Sequence, residues 1–465
     1  MTSSRDYELV VIGGGPGGYT AAIRAVQKGA KTCLVEKDRL GGVCTNAGCI
    51  PTKVLVESAR RLKHCRDNEE FGIEMDGCAL NYGKVASRRG SVVSGLRKGI
   101  GGLLKADGVD LIRGTAGFDG PHTLHVDTDD GERSISADKV IVATGSAPAE
   151  VPVAEPDGDR ILTSAHALEL EELPESMIIV GGGYIGCEFA CVLSAFGVEI
   201  TVVEMLSRIL PNMEEDCAAA VGKCLKRDGV TIHTETKLES CKVGDGGVTA
   251  VLDGSEDVRA EKMLVAVGRE PRVPDLHPGA AGLETGEGGA LAVNEHMQTA
   301  VDHIYAIGDV TGEHMLAHAA SYEAKVAAEH ATGTITATAD HRVMPACAFT
   351  LPEIATVGLT EAEAKERAGD VKVRKFPLSA LGKAHIEGAT GGFVKMIAEA
   401  DTHEVQGVHI VAPDASALIG EAALGMKLEV TADELAETIH PHPTMCESLH
   451  EAAEGVLGLP INWTG

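Results

Sequence analysis

At 465 residues the chain can hold about three domains of roughly 150 residues each, with ample apolar material for their cores. Its 44% hydrophobic and 3% aromatic content fits an ordinary α/β protein, while a formal net charge of −28 argues against nucleic acid or an anionic membrane, because the average field repels phosphate. No run approaches the roughly 18 apolar residues of a spanning helix. Residues 1–8 lead straight into an apolar run with no signal-peptide pattern, and twelve cysteines are scattered along the chain. These features predict a cytoplasmic protein with reduced thiols, in which any paired cysteines are catalytic.

In chain order, Glu8-Leu-Val-Val-Ile12 reads as a buried parallel strand entering Gly13-Gly-Gly-Pro-Gly-Gly18. A helical stretch over 19–28 follows, then the strand Thr32-Cys-Leu-Val-Glu36, which ends on an acid. The unit returns later. Met177-Ile-Ile-Val180 enters Gly181-Gly-Gly-Tyr-Ile-Gly186, a helix runs to about Phe196, and Glu199-Ile-Thr-Val-Val203 leads to Glu204. The acid stands equally far from the first glycine in both copies. One such glycine motif is weak evidence; two in the same strand–loop–helix–strand frame predict two dinucleotide sites.

In each copy the glycines (Gly13, Gly15, Gly18; Gly181, Gly183, Gly186) let backbone turn tightly against a pyrophosphate at a helix N-terminus. Glu36 and Glu204 are placed to accept ribose hydroxyls. A carboxylate at Glu204 also repels a 2′-phosphate, which favours NAD over NADP, although Arg208 lies close by in sequence.

Between the copies, Lys139-Val-Ile-Val-Ala-Thr-Gly-Ser-Ala-Pro148 predicts a strand, a glycine turn and a crossing to a second domain. The stretch 263–271 closes that domain. A strand over 303–309 precedes a helical stretch over 318–330, and from about Val343 shorter strands and amphipathic helices (361–366, 415–428) suggest an α+β domain.

Directly after the first unit comes Leu40-Gly-Gly-Val-Cys44-Thr-Asn-Ala-Gly-Cys49-Ile-Pro-Thr-Lys53. Cysteines five apart on a regular helix are too separated to bond, so the glycines and Asn46 predict a distorted turn running into a helix near Pro51. A helix N-terminus lowers a thiol pKa. Neither a second cysteine pair nor a histidine cluster completes a zinc set here, and the histidines of Ile439-His-Pro-His442-Pro-Thr-Met-Cys-Glu447 lack further ligands, so no metal is expected. In that last stretch a histidine beside a carboxylate suits proton transfer near neutral pH.

GGVCTNAGCIPTK resembles the redox-active segment of the pyridine nucleotide–disulfide oxidoreductases, most closely in their dihydrolipoamide dehydrogenase branch, and the resemblance extends over essentially the whole chain. It implies two Rossmann-like domains and a C-terminal α+β interface domain. The implied boundaries are an FAD-binding domain in two parts (1–147 and 271–342), an NAD-binding domain (148–270) and a dimerisation domain (343–465). Cys44 is then the interchange thiol, Cys49 the thiolate against the flavin, Lys53 the lysine beside the ring and Glu188 its partner. Asp309 is implied to bind the ribityl chain. Ala116, Thr144, Gly145, Ser146 and the segment Met315, Leu316, Ala317, His318 would contact FAD, and Gly268 would contact NAD. His442 and Glu447 would act on the disulfide of the other subunit of a homodimer.

The implied reaction oxidises dihydrolipoamide on a lipoyl-carrying protein of a 2-oxoacid dehydrogenase, glycine cleavage or other lipoyl-dependent system and reduces NAD⁺. Tyr184 departs from that branch and resembles the tyrosine that covers the nicotinamide pocket in glutathione reductases. A glutathione-reductase-like activity is therefore an alternative. So is a mercuric-reductase-like one, although residues 458–465 lack the paired cysteines that activity needs.

Overall fold

The computed structural model describes residues 5–254, 256–273, 276–334 and 338–463; the start of the opening segment read above, residues 1–4, and residues 464–465 of the final one lie outside them. Strand Tyr7–Ile12 pairs in parallel with Thr32–Glu36 on one side and with Gly131–Val142 on the other, in a seven-stranded sheet. Ile304–Ala306, far along the chain, adds in parallel to Gly131–Val142. Val10 and Ile12 belong to one core, and Leu9 and Val11 to another on the opposite face. Burial on both faces is why the strand is continuously apolar rather than alternating. Helix Pro16–Gln27 begins three residues earlier than the pattern suggests, with Pro16 in the first turn, where its missing N–H costs no intrahelical bond. Its alanines 21, 22 and 25 pack against alanines 324, 327 and 328 of helix Ala317–Ala331, so these helices approach closely.

The second unit repeats the design. Ser176–Val180 lies between Glu199–Val203 and Lys262–Val265 in a five-stranded parallel sheet, with helix Tyr184–Ala195 after the glycines. The chain passes between the two sheets through a two-stranded ribbon, Ser146–Pro148 against Arg269–Pro271. A third sheet is antiparallel, built from Ala346–Ala348, Glu353–Gly358, Val405–Ala412, Phe393–Glu399 and Val371–Pro377, and is backed by helices Ala415–Lys427 and Glu447–Val456. No helix among the described residues is long and apolar enough to cross a membrane.

The cysteine region departs from the expected irregular turn. It is a short helix, Gly42–Ala47, broken at Gly48 and restarted as Cys49–Arg66. The second helix packs Leu55, Val56, Ala59 and Leu62 against Phe189 and Ala190 of the second unit, within a core that also takes Ile354 and Val411 from the third sheet. The redox segment is thus clamped among all three parts.

The third sheet is further tied to the second unit by Lys395, whose ammonium sits 2.7 Å from Glu214, 2.8 Å from Asp216 and 2.6 Å from Glu361. Lys395 and Glu214 are almost fully buried, so removing the lysine strands the Glu214 carboxylate where water cannot reach it, while Asp216 and Glu361 stay partly exposed. Lys395→Ala is expected to lower unfolding free energy by about 3–5 kcal/mol. By contrast Lys375→Ala, which loses a half-exposed bridge to Asp216, should cost less than about 1 kcal/mol. Urea unfolding of both variants checks the contrast.

Candidate active site

Gly13 and Gly181 have φ of +102° and +105°, which an L side chain rarely adopts, and a Cβ on either would lie 2.3 or 2.4 Å from the carbonyl of Ala143 or Ala266. Gly18 and Gly186 close each turn, since a Cβ there would stand 1.7 or 2.0 Å from the carbonyl oxygen of the unit's first glycine. Gly15 and Gly183 cap the two helices with no side-chain bond, leaving the first helical N–H groups to a ligand. Each acid buttresses its own loop: Glu36 accepts from the N–H groups of Gly14 at 2.6 Å and Asp38 at 2.7 Å, and Glu204 from those of Gly182 and Leu206, both at 2.7 Å. Bare glycine turns, unpaired amides and a buried acid make both loops fit a dinucleotide.

One cleft gathers most of the residues singled out in the sequence: Gly13, Gly15, Glu36, Cys44, Cys49, Lys53, Ala116, Thr144, Gly145, Ser146, Tyr184, Glu188, Asp309, Met315 and Ala317. Leu316 is the N-cap of helix Ala317–Ala331, and the exposed His318 bonds the Pro345 carbonyl at 2.7 Å. Arg269 was not anticipated. Its guanidinium donates to the Ser146 hydroxyl at 2.7 Å and the Ser146 carbonyl at 2.8 Å, and Ser146 in turn bonds Asp309. Its only clue in the sequence is its place directly after Gly268.

The cysteine segment docks on the first glycine loop. The Gly41 N–H donates to the Gly14 carbonyl at 2.8 Å, and a Cβ on Gly42 would come within 2.8 Å of the Gly15 Cα. Asn46 holds the short helix by donating to the carbonyls of Leu40 at 3.0 Å and Gly42 at 2.9 Å. The break at Gly48 lets the two cysteines meet as thiols, Cys44 donating its proton towards Cys49. That hydrogen bond pulls the Cys49 thiol down to about 7; burial opposes it and the Lys53 ammonium reinforces it. Cys44 is pushed well up, first because it is the donor and then by burial. Cys49 also opens its helix, where the dipole favours a negative sulfur. The negative charge of the dithiol therefore belongs on Cys49.

Lys53 reaches across to both oxygens of Glu188, at 3.0 and 2.9 Å. Glu188 is 2% exposed and also accepts the Phe349 N–H at 2.9 Å, while the ammonium lies 4.4 Å from the Phe349 ring centroid. Phe349 is a second participant that no sequence motif marked.

His442 Nδ1 stands 2.8 Å from Glu447 Oε1, and the other oxygen of Glu447 accepts the Thr444 N–H at 2.8 Å. Burial works to raise the Glu447 carboxyl, but the Thr444 N–H and His442 outweigh it and hold the acid below its usual range. The structure does not bring this pair to the cleft of its own chain; the His442 side chain is 77% exposed.

A dithiol with one activated sulfur, held between two dinucleotide loops, defines a nucleotide-linked disulfide oxidoreductase. Residues 7–324 match the pyridine nucleotide-disulphide oxidoreductase family and residues 344–453 its dimerisation domain. The chain belongs to this family, and with that membership it is an oxidoreductase that uses FAD and NAD(H). It is 42% identical to a dihydrolipoyl dehydrogenase of Bacillus subtilis, over 98% of this chain and 99% of that one. It is 41% identical to dihydrolipoyl dehydrogenase 2 of Haloarcula marismortui, over 98% of each. Among solved structures, LpdA of Mycobacterium tuberculosis superposes with a TM-score of 0.91 at 30% identity, covering 96% of this chain and 99% of that chain. The HOCl-induced flavoprotein disulfide reductase RclA of Escherichia coli gives 0.87 at 29%, with the same coverage.

Two outcomes follow from this geometry. In the reduced protein, thiolate absorbance at 240 nm should titrate near pH 7, the Cys49 value. Lys53→Met removes a cation that favours the thiolate, so the titration should move upward by roughly one pH unit. Glu204→Ala should raise KM for NADH about tenfold or more and narrow the discrimination against NADPH, because a hydrogen bond to a charged group contributes roughly 1.5–3 kcal/mol.

Proposed function

We propose that this chain oxidises protein-bound dihydrolipoamide to lipoamide and passes the electron pair to NAD⁺. The observation that carries the reading is the Cys44–Cys49 pair in the cleft, with Cys49 at a helix N-terminus beside the Lys53–Glu188 ion pair. Near-full-length similarity to proteins named dihydrolipoyl dehydrogenase supports the choice of substrate.

The cycle starts from the Cys44–Cys49 disulfide. One substrate thiol gives its proton to His442, and its sulfur attacks Cys44. The disulfide breaks, and Cys49 leaves as the thiolate that Lys53 and the helix terminus stabilise. The second substrate thiol then attacks the substrate sulfur of the mixed disulfide and lipoamide departs; the leaving Cys44 takes the proton held by His442, and the freed imidazole takes the proton of the second thiol. Glu447 orients the imidazole and favours its charged form while the proton is in transit. The first glycine loop, Glu36, Ala116, the Thr144–Ser146 turn, Asp309 and the backbone of 315–318 would hold FAD, which would supply a two-electron relay from the dithiol to NAD⁺. The second glycine loop, Glu204 and Gly268 would hold the nicotinamide nucleotide. The sum is dihydrolipoamide plus NAD⁺ giving lipoamide, NADH and a proton.

His442 is exposed in one chain, and so are Leu424, Leu428 and Ile439 in the same domain, at 63%, 73% and 94%. We assign these residues to a symmetric homodimer in which His442 and Glu447 of each subunit serve the disulfide of the other. A lipoyl-carrying protein is the second partner, and the cytoplasm, where exchange-active thiols are kept reduced, the location.

A glutathione-reductase-like reading draws on Tyr184, 39% exposed on the cleft wall. The separating experiment compares NADH with NADPH as reductant of the purified yellow protein, then lipoamide with oxidised glutathione as acceptor. NADH and lipoamide are the expected pair; turnover of glutathione with NADPH would overturn the assignment. His442→Ala should cut lipoamide turnover about 10²–10⁴-fold and leave rapid reduction of the enzyme by NADH in place. Stopped-flow absorbance distinguishes the two half-reactions.

A further inference from the structure

A second group of ligand-type side chains lies outside the redox machinery. Glu313 and His314, on the turn before helix Ala317–Ala331, meet His341, on the chain entering the third domain, with one potential ligand atom from each within 4.8 Å of the others. The two imidazole centroids are 4.7 Å apart. His341 Nε2 stands 3.1 Å from Oε1 of Glu323, a carboxylate only 1% exposed, whose other oxygen accepts the Gly308 N–H at 2.6 Å. A buried carboxylate fixed at one end and bonded to an imidazole at the other is the arrangement that orients a metal-binding histidine. It keeps the proton on Nε2 and leaves the lone pair on Nδ1.

We propose that Glu313, His314 and His341 bind one divalent transition cation of the zinc class, with Glu323 as the positioning residue. Two imidazoles and a carboxylate suit such an ion, and water completes a four-coordinate shell. Ligand bonds of about 2.0–2.2 Å require the ligand atoms to close to roughly 3.4 Å of one another, so both the exposed Glu313 side chain and the imidazoles must shift. The ion would tie the turn before Met315 to the entry of the third domain. The other acidic cluster, Glu214, Asp216 and Glu361, differs because the Lys395 ammonium already fills it.

The test uses flavin-loaded protein carrying Cys44→Ser and Cys49→Ser, so that the redox thiols cannot be the ligands. Zn²⁺ is titrated by calorimetry, and Co²⁺ is followed by its visible absorption. One equivalent per chain is expected. His314→Ala and His341→Ala together should abolish it, with retained flavin absorbance reporting that the variant is folded. Glu323→Gln gives a sharper result. Its amide oxygen can still accept the Gly308 N–H, but its amide nitrogen would donate to His341 Nε2 and force the proton onto Nδ1. Affinity should then fall about 10–100-fold, as for other disrupted outer-shell partners. Stoichiometric binding that survives the double histidine substitution, or no saturable binding before it, would overturn the proposal.

Discussion

The carboxylate of Glu188 receives a donor from each of the other two parts of the molecule: the Lys53 ammonium from the cysteine helix and the Phe349 N–H from the start of the third sheet. Burying that charge is tolerable because nearly all its hydrogen-bonding capacity is used; with one donor missing, the carboxylate would be left in a dry interior. The interaction therefore sets how the helix that carries Cys49 lies against the helix of the second glycine loop. The apolar contacts of Leu55, Val56 and Ala59 with Phe189 and Ala190 make that arrangement rigid. The redox sulfur is consequently held by packing rather than by a mobile loop.

The chemistry of the two sulfurs follows from that placement. They share a cleft and a hydrogen bond, yet only one of them sits at a helix N-terminus beside a cation. The resulting asymmetry makes Cys49 the better leaving group and leaves Cys44 protonated. The imidazole–carboxylate pair of His442 and Glu447 is well formed internally but points to solvent within its own chain. That outward-facing pair lies in the part of the chain matched by the family's dimerisation domain, residues 344–453.

The two nucleotide loops show the same solution reached twice. In both, the last glycine closes on the carbonyl of the first, and the strand-end acid accepts the N–H of the second glycine and of the residue two beyond itself. The glycines and the acid that shape each loop come from the motif itself, while the first helical N–H groups are left for a ligand. That is why glycine and acid spacing is readable without coordinates.

The amino-acid sequence by itself marked the two strand–glycine–helix units, and it picked out the Cys44–Cys49 pair and the His442–Glu447 pair as candidates, all of which rest on residues close together in the chain. It was less informative where local preference is weak. Helix Tyr82–Asp107 carries glycines at 83, 90, 95, 99, 101 and 102, which blur its helical pattern, yet it forms with Asn81 capping one end and Gly108 the other. The cysteine segment became two helices broken at Gly48 rather than an irregular turn, because Gly41 and Gly42 press against the first glycine loop. Arg269 on Ser146, Phe349 on Glu188, Lys395 among three carboxylates and Glu323 behind His341 were decided by tertiary structure alone. Each joins groups more than fifteen residues apart, and the value of such a contact depends on burial, which exists only once the chain has folded.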